Sequence, residues 1–184
     1  KKKKEALSKE EFRIEYLVLS KLKKGFMVDY DMKTYRVIAC NQYQWNEGGV
    51  TDEWELEVNN ETWFLERCEE DGEVEWSLCR KLPISQLEGD IAGEIVRNED
   101  PPEKVVLQGQ AFQFEEDDIG EFFRDGSKEG LSFVSWDYED EQGKQFLTLE
   151  QWGETKFDMQ LGFKVEEFQF SNILPGEWLL FKLI

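Results

Sequence analysis

The sequence predicts an all-β protein, with room for one minor helix, built as two similar antiparallel β lobes from an internal duplication and related by a pseudo-twofold axis. The first observation behind this is a stretch that recurs. Trp54-Glu55-Leu56-Glu57, Phe64-Leu65, and then Gly72-Glu73 with Trp76 and Leu78 return as Trp136-Asp137-Tyr138-Glu139, Phe146-Leu147, and Gly153-Glu154 with Phe157 and Met159. The offset is 82 residues for the first two segments and 81 for the last, a slip that falls in a turn. The second observation is the density of aromatic and β-branched residues in short runs, which favours strands. The third is the regular spacing of Gly, Asn and Asp turn signals between those runs.

Residues 1–24 read as an N-terminal arm. Lys1 to Lys4 is a charged end, Ser8 and Glu11 have capping-box spacing, and Phe12, Ile14, Tyr16 and Val18 alternate as a strand from about Phe12 to Leu19 would. Residues 25–84 form the first lobe. It opens with a hairpin, Phe26 to Tyr30 and Thr34 to Cys40, followed by a polar loop from Asn41 to Thr51 that contains Gly48-Gly49. Strands at about Glu53 to Val58, Thr62 to Cys68 and Glu73 to Leu82 complete it, closed by Pro83. Residues 85–103 are a connector with one helical turn around Ile91 to Val96, ended by Pro101-Pro102. Residues 104–176 form the second lobe, starting with Val105 to Gln108 and Ala111 to Glu115. There, Phe112 and Phe114 match Tyr35 and Val37 at an offset of 77, and the missing residues fall in a polar loop from Glu116 to Gly130. Strands at about Leu131 to Tyr138, Lys144 to Trp152, Thr155 to Leu161 and Phe163 to Phe170 follow, then an apolar tail over residues 177–184.

Charge and residue types exclude several functions. With 22 basic and 41 acidic residues the net charge is −19, which opposes nucleic acid and anionic lipid and favours basic proteins, polyamines or metal cations. No histidine is present, so Ser-His-Asp and Cys-His catalysis and the common zinc sites are out, and the chain reads as a non-enzyme without a cofactor. Three cysteines, Cys40, Cys68 and Cys79, suit a reducing compartment, with Cys68 and Cys79 able to face one another on successive strands. No apolar run is long enough to span a bilayer and no signal peptide is visible, so the expected location is cytoplasmic.

The chemistry that remains is acidic and aromatic. Asp137 to Gly143 fails the EF-hand pattern, its glycine one place late and Thr148 at the twelfth position. The clusters Glu69-Glu70-Asp71, Glu115 to Asp118 and Glu139 to Glu141 fall in expected turns and read as solvated loop charge. A Glu66 and Glu150 pair would do acid-base work only if burial raised one pKa, whereas acids beside strand aromatics ordinarily point to solvent. Trp54, Trp76, Trp136, Phe64 and Phe146 are expected in the core. Trp45, Trp63, Trp152, Trp178 and Phe181 are the candidate partner-binding residues, because tryptophan flanked by acids is typical of interface anchors. The leading expectation is a protein-interaction module, and the alternative is a small-ligand or polyamine sensor using a cleft between lobes.

A family resemblance agrees with this. Gly25, Asp29-Tyr30, Tyr35, Asp52-Glu53-Trp54, Phe64-Leu65-Glu66 and Trp76 resemble the first half of the bacterial family called domain of unknown function 4178. Trp136-Asp137-Tyr138, Phe146-Leu147, Glu150-Gln151-Trp152 and Asn172-Ile173-Leu174-Pro175-Gly176 resemble its second half. Phe26 stands where the family often has an acid. The family carries no assigned catalytic residues to transfer; the resemblance implies a setting near polyamine-synthesis enzymes and membrane-stress proteins, and no mechanism.

Overall fold

A computed structural model of the protein describes residues 17–70 and 72–176. The expected arm strand, the capping box at Ser8, and the tail with Trp178 and Phe181 lie outside the described residues, apart from Leu17 to Leu19 of the arm, where Leu19 opens a 3-10 turn, Leu19–Lys21. The rest is all-β with one short helix. The first meander is β1 (Met27–Tyr30), β2 (Lys33–Trp45), β3 (Val50–Val58), β4 (Glu61–Glu70) and β5 (Glu73–Leu82). Helix α1 (Ile91–Asn98) leads to a second meander: β6 (Lys104–Leu107), β7 (Gln110–Phe123), β8 (Leu131–Asp140), β9 (Phe146–Gln151) and β10 (Phe157–Val165). A last strand, β11 (Ser171–Leu174), pairs with β1.

Two seams join the meanders. β5 pairs antiparallel with β10 from Trp76↔Val165 to Leu82↔Met159, and β2 pairs antiparallel with β7 from Gln42↔Phe123 to Trp45↔Gly120. Together they close β2-β3-β4-β5-β10-β9-β8-β7 into an eight-stranded antiparallel barrel, which leaves no free edge in the ring. The expectation of two lobes with a cleft between them is corrected here: the two halves share one continuous wall, because each hydrogen-bonds to the other along two strands. Registers within the meanders run in step. Val28↔Tyr35 and Val105↔Phe112 are 77 residues apart, as are the bulges at Val37/Ala39 and Phe114/Glu116. Trp54↔Leu65 corresponds to Trp136↔Leu149, so the third and fourth strands differ in offset by two residues.

Strand alternation sends two chemistries to opposite faces. Trp54, Leu56, Leu65 and Leu78 face outward into a core capped by Leu19, Leu22, Phe26 and Phe170. The Trp54 ring stacks on Trp76 at 5.7 Å, and its Nε1 donates to the Leu22 carbonyl at 3.0 Å. On the opposite flank Trp136, Tyr138, Leu147, Leu149 and Met159 form a second core. α1 covers it with Ile91 and Ile95, which are four residues apart and therefore share a helix face. Asp90 caps that helix by accepting from the Gly93 N–H, and a left-handed Glu99 ends it before Pro101-Pro102.

Several expected boundaries move for one reason. The polar segments 41–51 and 116–130 read as loops, yet β2 continues to Trp45 and β7 to Phe123, because the β2–β7 seam supplies backbone partners that no local pattern announces. Glu115 to Asp118 accordingly lie in β7 instead of a turn, while Glu69 and Glu70 finish β4 and Glu139 and Asp140 finish β8. The two strands expected over Thr155 to Phe170 are one strand through Gly162, followed by a 3-10 turn, Glu167–Gln169. Gly162 is small for packing: a Cβ there would fall on the Phe146 ring and the Cys79 Sγ. Phe64 is buried but faces the barrel interior, and Phe146 is half-buried there, so neither belongs to the apolar cores.

Leu65 and Leu149 are both fully buried at matching stations in the two cores. Leu65→Ala and Leu149→Ala are each expected to lose about 2–5 kcal/mol of unfolding free energy in urea titrations. Phe146→Ala, on a cavity wall, is expected to lose less than either. At the seam, a Cβ on Gly120 would sit 2.8 Å from the Gln44 carbonyl oxygen and 3.1 Å from the Phe133 ring. Gly120→Val is therefore expected to lower the melting temperature by several degrees, measured by circular dichroism.

Candidate functional site

Closure of the barrel turns the polar face of each strand inward. Glu53 and Glu55 alternate with Trp54 and Leu56 on β3; Glu66 follows Leu65 on β4; Asp137 and Glu150 alternate with the outward core residues of β8 and β9. Side chains from opposite walls meet there. Gln160 on β10 donates to the Tyr43 hydroxyl on β2 at 3.5 Å and to Glu150 Oε1 at 3.4 Å. Beside them lies a cavity of about 320 Å³ with contributions from all eight strands of the ring. Seven of its lining residues are acids, Glu66, Glu75, Glu115, Glu116, Asp137, Glu139 and Glu150, against one lysine, Lys164. That lysine is already paired with Glu75 at 2.6 Å.

Burial holds three of them, Glu66, Glu150 and Asp137, protonated beyond the usual range. Glu66 is half-buried on the cavity wall; burial, reinforced by the charges of Glu53 and Glu150, pushes it up to about 8. Burial likewise raises Glu150 to about 7, with Lys81 nearby offsetting part of the effect, and Asp137 to about 6, where a hydrogen bond from Thr148 works in the opposite direction. Glu53 is also raised by burial, eased by the Asn41 amide that donates to its Oε1 at 2.7 Å. The Cys79 thiol, donating toward Glu66 Oε2 at 3.7 Å, is raised by the same enclosure. It therefore stays neutral and is a poor nucleophile.

The two halves of the interior are neutralised differently. Glu55 is met by Arg124 at 3.3 Å, and Asn41 donates to both Glu53 and Glu55. Asp137, at the station of β8 that matches Glu55 on β3, receives only the Thr148 hydroxyl. Two polar acceptors on the cavity wall, Glu150 Oε2 and Gln160 Oε1, have no hydrogen-bond partner, although both side chains are 2% exposed. Two buried donors, the Ser135 hydroxyl across from Glu150 and the Trp152 indole N–H, are likewise unpartnered, and since unmet buried polar groups are costly this half of the lumen is where hydrogen bonding is incomplete.

An aromatic cluster adjoins it. Tyr43, Trp45, Phe122, Phe133 and Trp152 pack around the β2–β7 seam, with Tyr43 and Trp45 stacked at 5.8 Å and Phe133 and Trp152 at 4.9 Å. Of the candidate anchors, Trp45 and Trp152 are thus brought together through Phe133, while Trp63 is separate. Trp63 was expected to point away from the core and instead packs half-buried against it, edge-on to Phe163 and 6.0 Å from the Arg80 guanidinium. Glu66 and Glu150 are the reverse case, expected at the surface and found inside. The sequence pointed to neither Tyr43 nor Gln160 and weighed Asp137 only as the start of a failed EF-hand loop; the signal available was acids in strict alternation with tryptophan and leucine, which reads equally as a solvent face. Cys68 and Cys79 do not face each other, since Cys68 pairs with Glu75 and Cys79 with Phe64; all three cysteines are free. Among the described residues no group of three or more His, Cys, Asp or Glu is placed to hold a metal ion, and no helix is long and apolar enough to cross a membrane.

The sequence model of the family described as "Domain of unknown function (DUF4178)" matches residues 23–167, most of the chain and all of the barrel strands. No curated protein and no solved structure matches the chain.

The raised carboxyls fix a sign for pH. Each binds its proton more tightly folded than unfolded, so its contribution to stability is present in full below about pH 4.5 and is lost as pH rises through its folded value, up to about 8 for Glu66. The protein is therefore expected to melt at a lower temperature at pH 8.5 than at pH 6. Glu66→Gln, which stays neutral, is expected to raise the melting temperature at the higher pH by about 5 °C and to change it little near pH 5, read by scanning calorimetry.

Proposed function

The chain belongs to the domain of unknown function 4178 family, and we propose that it is a non-catalytic binding barrel that takes a small organic cation of the polyamine class into its acidic lumen. The single observation that carries this is the cavity wall itself: acids outnumber lysine seven to one, with bare buried acceptors at Glu150 and Gln160. A ligand ammonium supplies three donors and a positive charge, the two things this wall lacks. The acids are distributed over several strands instead of gathered at one point, which suits a ligand whose charges are spread along a chain. Tyr43 and Trp45 line the same cavity. The sensing role rests on this binding, and the matched registers of the two meanders support an origin by internal duplication about a pseudo-twofold axis. The setting near polyamine-synthesis enzymes implied by the family resemblance points the same way.

A protein-interaction role has a separate observation in its favour. Phe168 is 83% exposed and Met32 fully so, both outside the barrel ring. Such a surface would act alongside the lumen and would not need Trp45 or Trp152, whose rings are spent on the aromatic cluster.

Spermidine at millimolar concentration is expected to raise the melting temperature of the protein, because a ligand that binds only the folded state must do so. Glu150→Gln and Asp137→Asn are expected to reduce the shift by more than half, and Phe168→Ser to leave it unchanged. Equal shifts for the wild-type protein and both lumen variants would sink the lumen as the site.

A further inference from the structure

We propose that the lumen is a proton-exchanging site, in which a cationic ligand enters by replacing protons held on Glu66 and Glu150 and each carboxyl so occupied releases one proton to solvent. The proposal rests on the reading of the lumen as an amine-binding site and adds how its occupancy is regulated.

The geometry behind it is a set of unmet hydrogen bonds: two buried acceptors, on Glu150 and Gln160, that the two unpartnered buried donors, the Ser135 hydroxyl and the Trp152 indole N–H, do not reach. Gln160 turns its amide N–H toward Glu150 Oε1 and Tyr43, which leaves Glu150 Oε2 and its own Oε1 without partners. Both are acceptors inside the protein, and an ionised carboxylate with a bare oxygen in such a place is strongly disfavoured. A carboxylic acid O–H supplies one donor and an ammonium N–H supplies another, so a proton and a cation satisfy the same unmet acceptor and compete for it. Glu66 repeats the situation: the Ser77 hydroxyl and Cys79 thiol both point at one oxygen, Oε2, with no cation beside them.

The groups facing this pair do not supply the missing charge. From β5, Lys81 Nζ lies 3.6 Å from Asp158 of β10 and 5.1 Å from the Phe64 ring centre, and Glu75 is held by Lys164. From β2 comes only the neutral Tyr43 hydroxyl, which donates to Glu53 Oε2 on β3 at 3.3 Å. β3 presents Glu53, and β7 and β8 add further acids, Glu115, Glu116, Asp137 and Glu139. The nearest counter-charges are thus already engaged, and the remaining neighbours repel a second negative charge. Burial and that repulsion place both carboxyls near neutrality, at about 8 and about 7, where a change of ligand or of pH shifts their protonation.

Two measurements on the whole protein test this. Carbon-13 NMR of glutamate carboxyls without ligand reads protonation directly, with Glu66→Gln and Glu150→Gln assigning the signals. Calorimetric titration with spermidine in phosphate and in Tris at the same pH counts protons released from the difference in heat. Expected are two carboxyls titrating above pH 6, release of about one proton or more per spermidine near pH 7, and an affinity that strengthens by about tenfold per pH unit for each proton exchanged. Glu150→Gln is expected to lose part of that release while keeping its circular dichroism spectrum. Carboxyls titrating in the ordinary range of about 4 to 5 would overturn the proposal without reference to any ligand. Spermidine binding with equal heat in both buffers overturns the exchange and leaves the amine site standing. Absence of spermidine binding across the whole pH range overturns both.

Discussion

The β2–β7 seam is the contact on which the rest of the structure depends. Without the four register pairs from Gln42↔Phe123 to Trp45↔Gly120, the two meanders would form one open sheet, joined only through β5 and β10. One face of that sheet carries Trp54, Leu65, Trp136 and Leu149; the other carries Glu53, Glu66, Asp137 and Glu150. Joining β2 to β7 encloses the acidic face and leaves the apolar face outside, to be covered by Leu22, Phe26 and Phe170 on one flank and by α1 on the other. Gly120 permits the close approach, and the aromatic cluster around Tyr43 and Phe133 fills the angle the seam creates.

This inverts the usual arrangement of a small barrel, whose interior is filled by apolar side chains. Two cores outside the ring supply the hydrophobic stabilisation, and the lumen opposes it, since each enclosed acid must give up either its charge or its hydration. The chain offsets part of that cost with Asn41 and Arg124 beside Glu53 and Glu55. For Glu150 the help is weaker: the Gln160 amide reaches only Oε1, at 3.4 Å, and Lys81 acts on it while paired with Asp158. Unequal treatment of two halves so alike in register is the physical reason for regarding the second half as a place for a ligand: Glu150 Oε2 and Gln160 Oε1 stay without a hydrogen-bond partner there.

Sequence alone determined the strand content, the recurrence of Trp54 in Trp136, the helical turn after Ile91, and the abundance of acid over base. These follow from local rules, because a strand's two-residue period and a turn's glycine are visible within a few positions. The same rules identified Trp54, Trp76 and Trp136 as core. They misplaced Phe64, Trp63, Glu66 and Glu150, and for one reason: alternation says that two sets of residues face opposite ways and is silent about which way is in. An acid opposite a tryptophan has an identical pattern on an open sheet in water and on the inner wall of a barrel. Only the tertiary structure decided that, through a seam between residues nearly eighty positions apart whose polar sequence looks like loop on both sides. The fold class was therefore legible along the chain, whereas the acidic lumen exists only because the ring closes.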